Sequence, residues 1–257
     1  MRQFVSSAEP GKDGLLLIEG KDFHYIRQVL RFSVGDMLKV SCPSGNTVNT
    51  TICSINEKSK TLVLQVCDIE DAVSSDVVGE TRKTEFWLFQ FIPKPQKMDL
   101  IIRQAVECGV SVIVPIIGEY TQSGTEKTLL FSRSERIQKI VKEARQQSGS
   151  NINTKVLEPL RLKDALPLLE YDKDTMVAFA LYEKTQGTCS MASIVDSMQE
   201  IKRAAIAVGC EGGISPKEIE ELKKEGFQPV HFETNILRCE TAAIYGMAVL
   251  QSLIMKS

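Results

Sequence analysis

The sequence predicts an α/β fold, a mainly parallel sheet with helices on both faces, preceded by a small β-rich unit. Three observations carry that reading. From residue 85 onward, strand-length apolar runs alternate with helical stretches, the pattern of strand-helix-strand units in a parallel sheet. One of these runs, Ala204 to Val208, carries no charge, as expected of a strand covered on both faces. Before residue 70 the runs are short and separated by turn residues such as Pro43-Ser44-Gly45-Asn46.

In chain order, Leu15 to Ile18, Met37 to Val40, Val48 to Ile55 and Thr61 to Val66 read as strands of the first unit, with a helical turn from Phe23 to Leu30. Residues 71–84 are polar and without a period, which places a linker between a domain of residues 1–70 and another of residues 85–257. Phe86 to Ile92 is then a strand, Lys97 to Cys108 a helix stopped by Gly109, and Val112 to Ile117 a strand. Ser134 to Gln147 is a longer helix, Lys155 to Leu157 a short strand, and Leu162 to Leu169 a helix. Met176 to Leu181 leads through Ile194 to Gln199 toward Ala204. Thr241 to Ile254 closes the chain as a helix apolar nearly all round, which requires burial in the core or by a partner.

The stretch from Ala204 to Glu240 organises the rest. Gly209, Gly212 and Gly213 follow the apolar strand and allow a ligand to approach the backbone closely. Ser215-Pro216-Lys217-Glu218 then reads as a helix start, with a hydroxyl cap, proline at the first helical position and a glutamate completing a capping box. A glycine turn between a buried strand and a helix N-terminus is a common way to build a small-molecule site. Glu211 within that turn and Arg238 after the next strand are expected at one edge of the sheet.

Composition narrows the classes. The 257 residues are 43% hydrophobic and 25% charged, ordinary for a globular chain of one or two domains. Seven widely spaced cysteines without a CxxC pair argue against a disulfide framework and a zinc site, and two histidines make a histidine-rich metal centre a poor expectation. No apolar run reaches bilayer length and the N-terminus lacks a signal-peptide apolar region, so the expectation is a cytoplasmic protein without membrane or metal.

GCEGGISPKEIEELKKEGF followed by NILRCETAA resembles the C-terminal signature of the RsmE family of ribosomal-RNA methyltransferases, usually GPEGG, then FS or LS, then ILRTETA. Lys94 to Pro115 (KPQKMDLIIRQAVECGVSVIVP) and Arg136 to Gly149 (RIQKIVKEARQQSG) are similar to two further marked stretches of that family, and MRQFV and HYIRQVLRFSVGD share its look. The resemblance implies a SPOUT-class fold with a C-terminal trefoil knot, preceded by a PUA-like barrel that grips RNA. It implies transfer of methyl from S-adenosylmethionine to N3 of one uridine in 16S ribosomal RNA of the small subunit, by a homodimer formed through the C-terminal helix.

On that basis the cofactor pocket is expected from three turns: Leu181-Tyr182-Glu183, Gly209-Cys210-Glu211-Gly212-Gly213 and Ile236-Leu237-Arg238. Taken singly, Leu181, Ile236 and Leu237 are also readable as ordinary core packing, which is the preferred reading for Ile236. A cation beside the pyrimidine oxygens would stabilise the anion formed when N3 loses its proton, which suits Arg238, while Glu211 or Glu240 would take the proton or orient Arg238. RNA phosphates would be met by Arg2, Arg27, Arg31, Lys94, Lys97 and Arg103, although a net charge of −2 is unusual for an RNA-handling protein. Departures from the family pattern stand at Cys210, where the family has proline, at Glu233 and Asn235, where it has glycine and arginine, and at Ser150, where it has arginine. Two alternatives remain open: an RNA-binding or assembly protein of the same fold with a decayed cofactor site, and a nucleophilic Cys210 assisted by His231.

Overall fold

The computed structural model describes residues 3–70, 84–124 and 135–255. Arg2 and nearly all of the expected linker lie outside these residues. The chain divides into two compact units, one holding the described residues up to 70 together with Arg145–Asn151, the other the remainder.

In the first unit, β1 (Gln3–Val5), β2 (Leu15–Glu19), β3 (Met37–Ser41), β4 (Thr47–Asn56) and β5 (Thr61–Glu70) form one sheet in the order β1-β3-β4-β5-β2. Along β2 alternate side chains enter the core, Leu16 and Ile18 buried and Leu17 exposed, the period of a strand with one wet face. The helical turn begins three residues earlier than the spacing suggests. It is a five-residue helix α1 (Gly20–His24) continued by a π-helical turn (Tyr25–Val29), which ends before Arg31 in the left-handed region at φ 60°. Asn151 belongs to this unit because its amide oxygen accepts from Gln3 Nε2 at 3.0 Å and Thr47 Oγ1 at 3.2 Å.

The second unit is built on β6 (Glu85–Phe91), β7 (Val112–Ile117), β8 (Lys155–Val156), β9 (Leu160–Arg161), β10 (Met176–Leu181), β11 (Arg203–Val208) and β12 (Gln228–Val230). Every pairing is parallel, in the order β12-β10-β11-β6-β7-β8 with β9 beside β7. The side chains of β6 alternate between two cores. Phe86 and Leu88 pack with helices α2 (Pro95–Glu107), α3 (Glu135–Ser148), α5 (Met191–Asp196) and α7 (Cys239–Ile254). Trp87, Phe89 and Phe91 pack with α4 (Leu162–Ala165) and α6 (Pro216–Lys224). The expected α/β arrangement therefore holds, with the central strands covered on both faces.

One expectation needs correction. Leu162 to Leu169 is not one helix: Pro167 cannot donate to a fourth-residue carbonyl, and the chain tightens to a 3-10 turn over Leu166–Leu169. The last helix, α7, is buried within this chain on one face. Ala243, Met247 and Leu250 are buried, while Tyr245 and Ala248 are exposed. Gly246 lets α7 approach closely, since a Cβ there would stand 2.6 Å from Ile206 Cδ1.

The expected capping box of α6 is present. Ser215 Oγ accepts from the Glu218 amide at 3.3 Å, and Glu218 Oε2 accepts from the Ser215 amide at 2.9 Å. Glu218 Oε1 also accepts from the Glu119 amide at 2.7 Å, so one buried carboxylate holds two turns at the strand ends. Ser215→Ala is expected to destabilise the fold by about 1 kcal/mol, read as a lower urea midpoint at unchanged slope.

Candidate functional site

Because the sheet is parallel throughout, the chain leaves β6, β10, β11 and β12 at a single edge. Four turns meet there: residues 92–94 before α2, 182–190 after β10, the glycine turn 209–215 after β11, and 231–238 after β12. Together the last three line a cleft. Of the expected cofactor residues, Leu181, Tyr182, Glu183, Gly209, Cys210, Glu211, Gly213, Ile236 and Leu237 line it.

Gly212 and Arg238 do not. A Cβ on Gly212 would stand 2.9 Å from Tyr120 Cβ, so the absence of a side chain there makes room for the loop after β7. Gly213, at φ 78°, lines the cleft together with Gly209, and a Cβ on Gly209 would lie 2.5 Å from the Gly213 carbonyl carbon, which closes the turn tightly on itself. Arg238 caps α7 through its backbone, and its exposed guanidinium makes no hydrogen bond or ion pair among the described residues. Ile236 is 90% exposed at the rim, so core packing does not describe it. Thr234 and Asn235 contribute to the lining, whereas Glu233, at the position of the family's glycine, is exposed outside it.

Two residues absent from the expected cofactor pocket hold the glycine turn. Gln90, fully buried at the end of β6, donates from Nε2 to the carbonyls of Val208 and Gly209, both at 3.2 Å, and of Phe91 at 2.9 Å. An uncharged polar residue inside an apolar strand run is the signal that marks it. Lys97 projects from α2 between two carboxylates, its Nζ 3.3 Å from Glu211 Oε1 and 3.3 Å from Glu240 Oε2, with Cys239 Sγ at 3.9 Å. Glu211 Oε1 also accepts from the Lys94 amide at 3.3 Å.

The electrostatics follow from this cluster. Desolvation opposes the charged form of both carboxylates. Backbone amides and the Lys97 ammonium outweigh it, with the Lys94 amide helping Glu211 and the Cys239 thiol helping Glu240, and both stay below the ordinary glutamate value. Desolvation likewise pulls Lys97 down, but Cys239, Glu211 and Glu240 carry it above the ordinary lysine value. Carboxylates held this way are weaker bases than a free glutamate, which favours an orienting role over proton abstraction.

The thiols move the other way. Burial and the adjoining Glu240 push Cys239 up to about 12, and burial raises Cys210. Cys210 Sγ donates to the Tyr120 carbonyl at 3.4 Å, and His231 Nδ1 lies 3.2 Å from the Tyr182 carbonyl oxygen. A buried thiol raised above its ordinary value and already donating to a carbonyl disfavours the nucleophile reading of Cys210. The expected RNA residues also divide. Arg27 is committed to Glu57, at 2.8 Å, and to the Phe32 carbonyl at 2.6 Å, and Lys97 to its two carboxylates, whereas Arg31, Lys94 and Arg103 are exposed. No group of three or more His, Cys, Asp or Glu side chains suited to a metal ion occurs among the described residues, and no described helix is long and apolar enough to cross a membrane.

The sequence model of the RNA methyltransferase domain matches residues 80–251, which span the whole cleft. The chain belongs to that family. Curated relatives agree with the RsmE resemblance drawn from the motifs. Ribosomal RNA small subunit methyltransferase E of Aquifex aeolicus is 29% identical over 202 residues, covering 78% of this chain and 80% of that protein. The Bacillus subtilis protein of the same name is 24% identical, covering 91% and 88%. A crystal structure of ribosomal RNA small subunit methyltransferase E from Neisseria gonorrhoeae bound to S-adenosylmethionine superposes with a TM-score of 0.78 at 22% identity, covering 98% of each chain. A putative methyltransferase of Legionella pneumophila, also with bound S-adenosylmethionine, gives 0.75 at 23% identity, covering 98% of this chain and 96% of that one, and both show that the fold is shared.

With limiting iodoacetamide at pH 8, peptide mass mapping is expected to find the exposed Cys53 and Cys67 modified well before Cys210 and Cys239. Modification of Cys210 ahead of both would restore the nucleophile reading.

Proposed function

We propose that the protein transfers a methyl group from S-adenosylmethionine to N3 of one uridine in small-subunit (16S) ribosomal RNA. The observation that carries the reading is the lining of the cleft. It offers backbone turns, apolar walls from Leu181, Val230 and Leu237, and two carboxylates, Glu183 and Glu211, with no lysine or arginine among the described lining residues. Such a lining favours a cationic ligand with an apolar body and disfavours a polyphosphate. S-adenosylmethionine fits that description, and when bound it supplies an electrophilic methyl on a sulfonium.

In this reading Leu181, Gly209, Gly213 and Leu237 hold the cofactor, and the glycine turn brings its backbone against it. Arg238, at the mouth of the site with an uncommitted guanidinium, stabilises the negative charge that the pyrimidine oxygens gain as N3 loses its proton. The target base leaves its stack to reach the edge of the sheet. Glu211 and Glu240 act as fixed orienting charges.

The remaining parts of the reading rest on the family resemblance together with the architecture. Residues 1–70 form a PUA-like barrel that grips RNA with Arg31, the C-terminal segment is knotted, and the half-exposed face of α7 around Tyr245 and Ala248 joins two copies. Sedimentation at the monomer mass would remove the dimer.

Calorimetric titration with S-adenosylmethionine is expected to show one site per chain, lost in Gly213→Val because a branched side chain is strained at φ 78° and intrudes on the cleft. Arg238→Ala is expected to bind the cofactor while losing on the order of a hundredfold in turnover, scored as 3-methyluridine in digested small-subunit RNA. RNA binding without any cofactor binding by the wild type would instead favour the assembly protein with a decayed site.

A further inference from the structure

We propose that Lys97 is a positioning residue that clasps the glycine turn to the start of α7, and that it makes no contact with RNA phosphate. The inference rests on the proposed cofactor reading for its consequence, but its geometry stands apart from it. An ammonium has three hydrogens and no acceptor. Around Lys97 Nζ stand three acceptors, Glu211 Oε1 and Glu240 Oε2 at 3.3 Å each and Cys239 Sγ at 3.9 Å. The lysine therefore has no donor left for a fourth partner. One positive charge against two carboxylates leaves the cluster at −1, so a phosphate approaching it meets repulsion.

The three elements joined have no other charged link among the described residues. Lys97 comes from α2, Glu211 from the turn after β11, and Glu240 from the first turn of α7. Without Lys97 the two carboxylates face the same point unscreened, and the cheapest relief is to move apart. That movement separates Glu211 from Cys239, two residues that line the cleft. Gln90 holds the base of the glycine turn, at Val208 and Gly209, and leaves the position of Glu211 to Lys97 and the Lys94 amide.

The test compares Lys97→Met, Lys97→Arg and Arg103→Ala with the wild type by three readouts. In hydrogen exchange without cofactor, Lys97→Met is expected to speed exchange about tenfold in peptides covering 209–215 and 239–243, while α6 and the first unit stay unchanged and Lys97→Arg restores protection. In calorimetry, Lys97→Met is expected to weaken S-adenosylmethionine about tenfold, with recovery in Lys97→Arg. In RNA binding without cofactor, the slope of log affinity against log salt is expected to stay at the wild-type value in Lys97→Met and to fall by about one in Arg103→Ala. Unchanged exchange in Lys97→Met, or a salt slope lowered by about one in that variant, would overturn the clasp. A wild type that fails to bind S-adenosylmethionine would remove the proposed function and leave the exchange experiment to decide the clasp alone.

Discussion

Parallel pairing of β11 between β6 and β10 is the constraint from which the site follows. Val208 lies opposite Gln90 on one side and Ala207 opposite Ala180 on the other, so the three strands end within a residue or two of each other. A parallel strand must return by a crossover, and each crossover begins with a turn at the same edge. Tyr182, Gly209 and Lys94 are thus gathered by topology before any side chain contributes. The alanines of β11 permit this closeness. Ala204, Ala205 and Ala207 are fully buried, and neighbouring helices and strands pack tightly against them.

Once gathered, the glycine turn has to be held open. Gly209 and Gly213 allow the backbone to double back on itself, and the Gly213 amide donates to the Cys210 carbonyl at 3.0 Å. The family's proline would fix one backbone angle in this turn. Cys210 gives up that restraint and substitutes a tether, its thiol donating to the Tyr120 carbonyl. The same loop is held from its other side by Glu218, which caps α6 and accepts from the Glu119 amide. Local geometry at the turn is therefore shared among three neighbours, and Gly212 is a glycine because Tyr120 occupies the space a side chain would need.

The sheet, the capping box and the three turns were legible in sequence because each depends on residues close together in the chain. The Ser215-Pro216-Lys217-Glu218 cap is a four-residue device, and Ala204 to Val208 declares its burial by composition. Pro167 shortened a helix that the apolar spacing alone extends. What the sequence concealed was pairing over long separations. Lys97 and Glu240 are 143 positions apart, and Gln90 reaches carbonyls 118 and 119 positions away. A lysine in a KPQK segment reads as a phosphate contact until its partners are known. Gly212 shows the converse limit, since a glycine in a ligand-binding motif can be required by a neighbouring loop.

Net charge conceals pairing for the same reason. The count of 31 cationic against 33 anionic residues treats each charge as available, but several cations are already engaged: Arg27 with Glu57, Arg136 with Asp99 and Arg203 with Glu85, besides Lys97. An engaged cation contributes little to an approaching phosphate, because its field is cancelled at the distance of its partner. The cleft carries this logic further, since its lining is acidic where a sulfonium would sit, and basic groups such as Arg238 stand outside it. A cationic cofactor and a polyanionic substrate make opposite electrostatic demands. One edge of one sheet can meet both only if its charges are held in place, and a lysine shared by two carboxylates fixes them there with a single side chain.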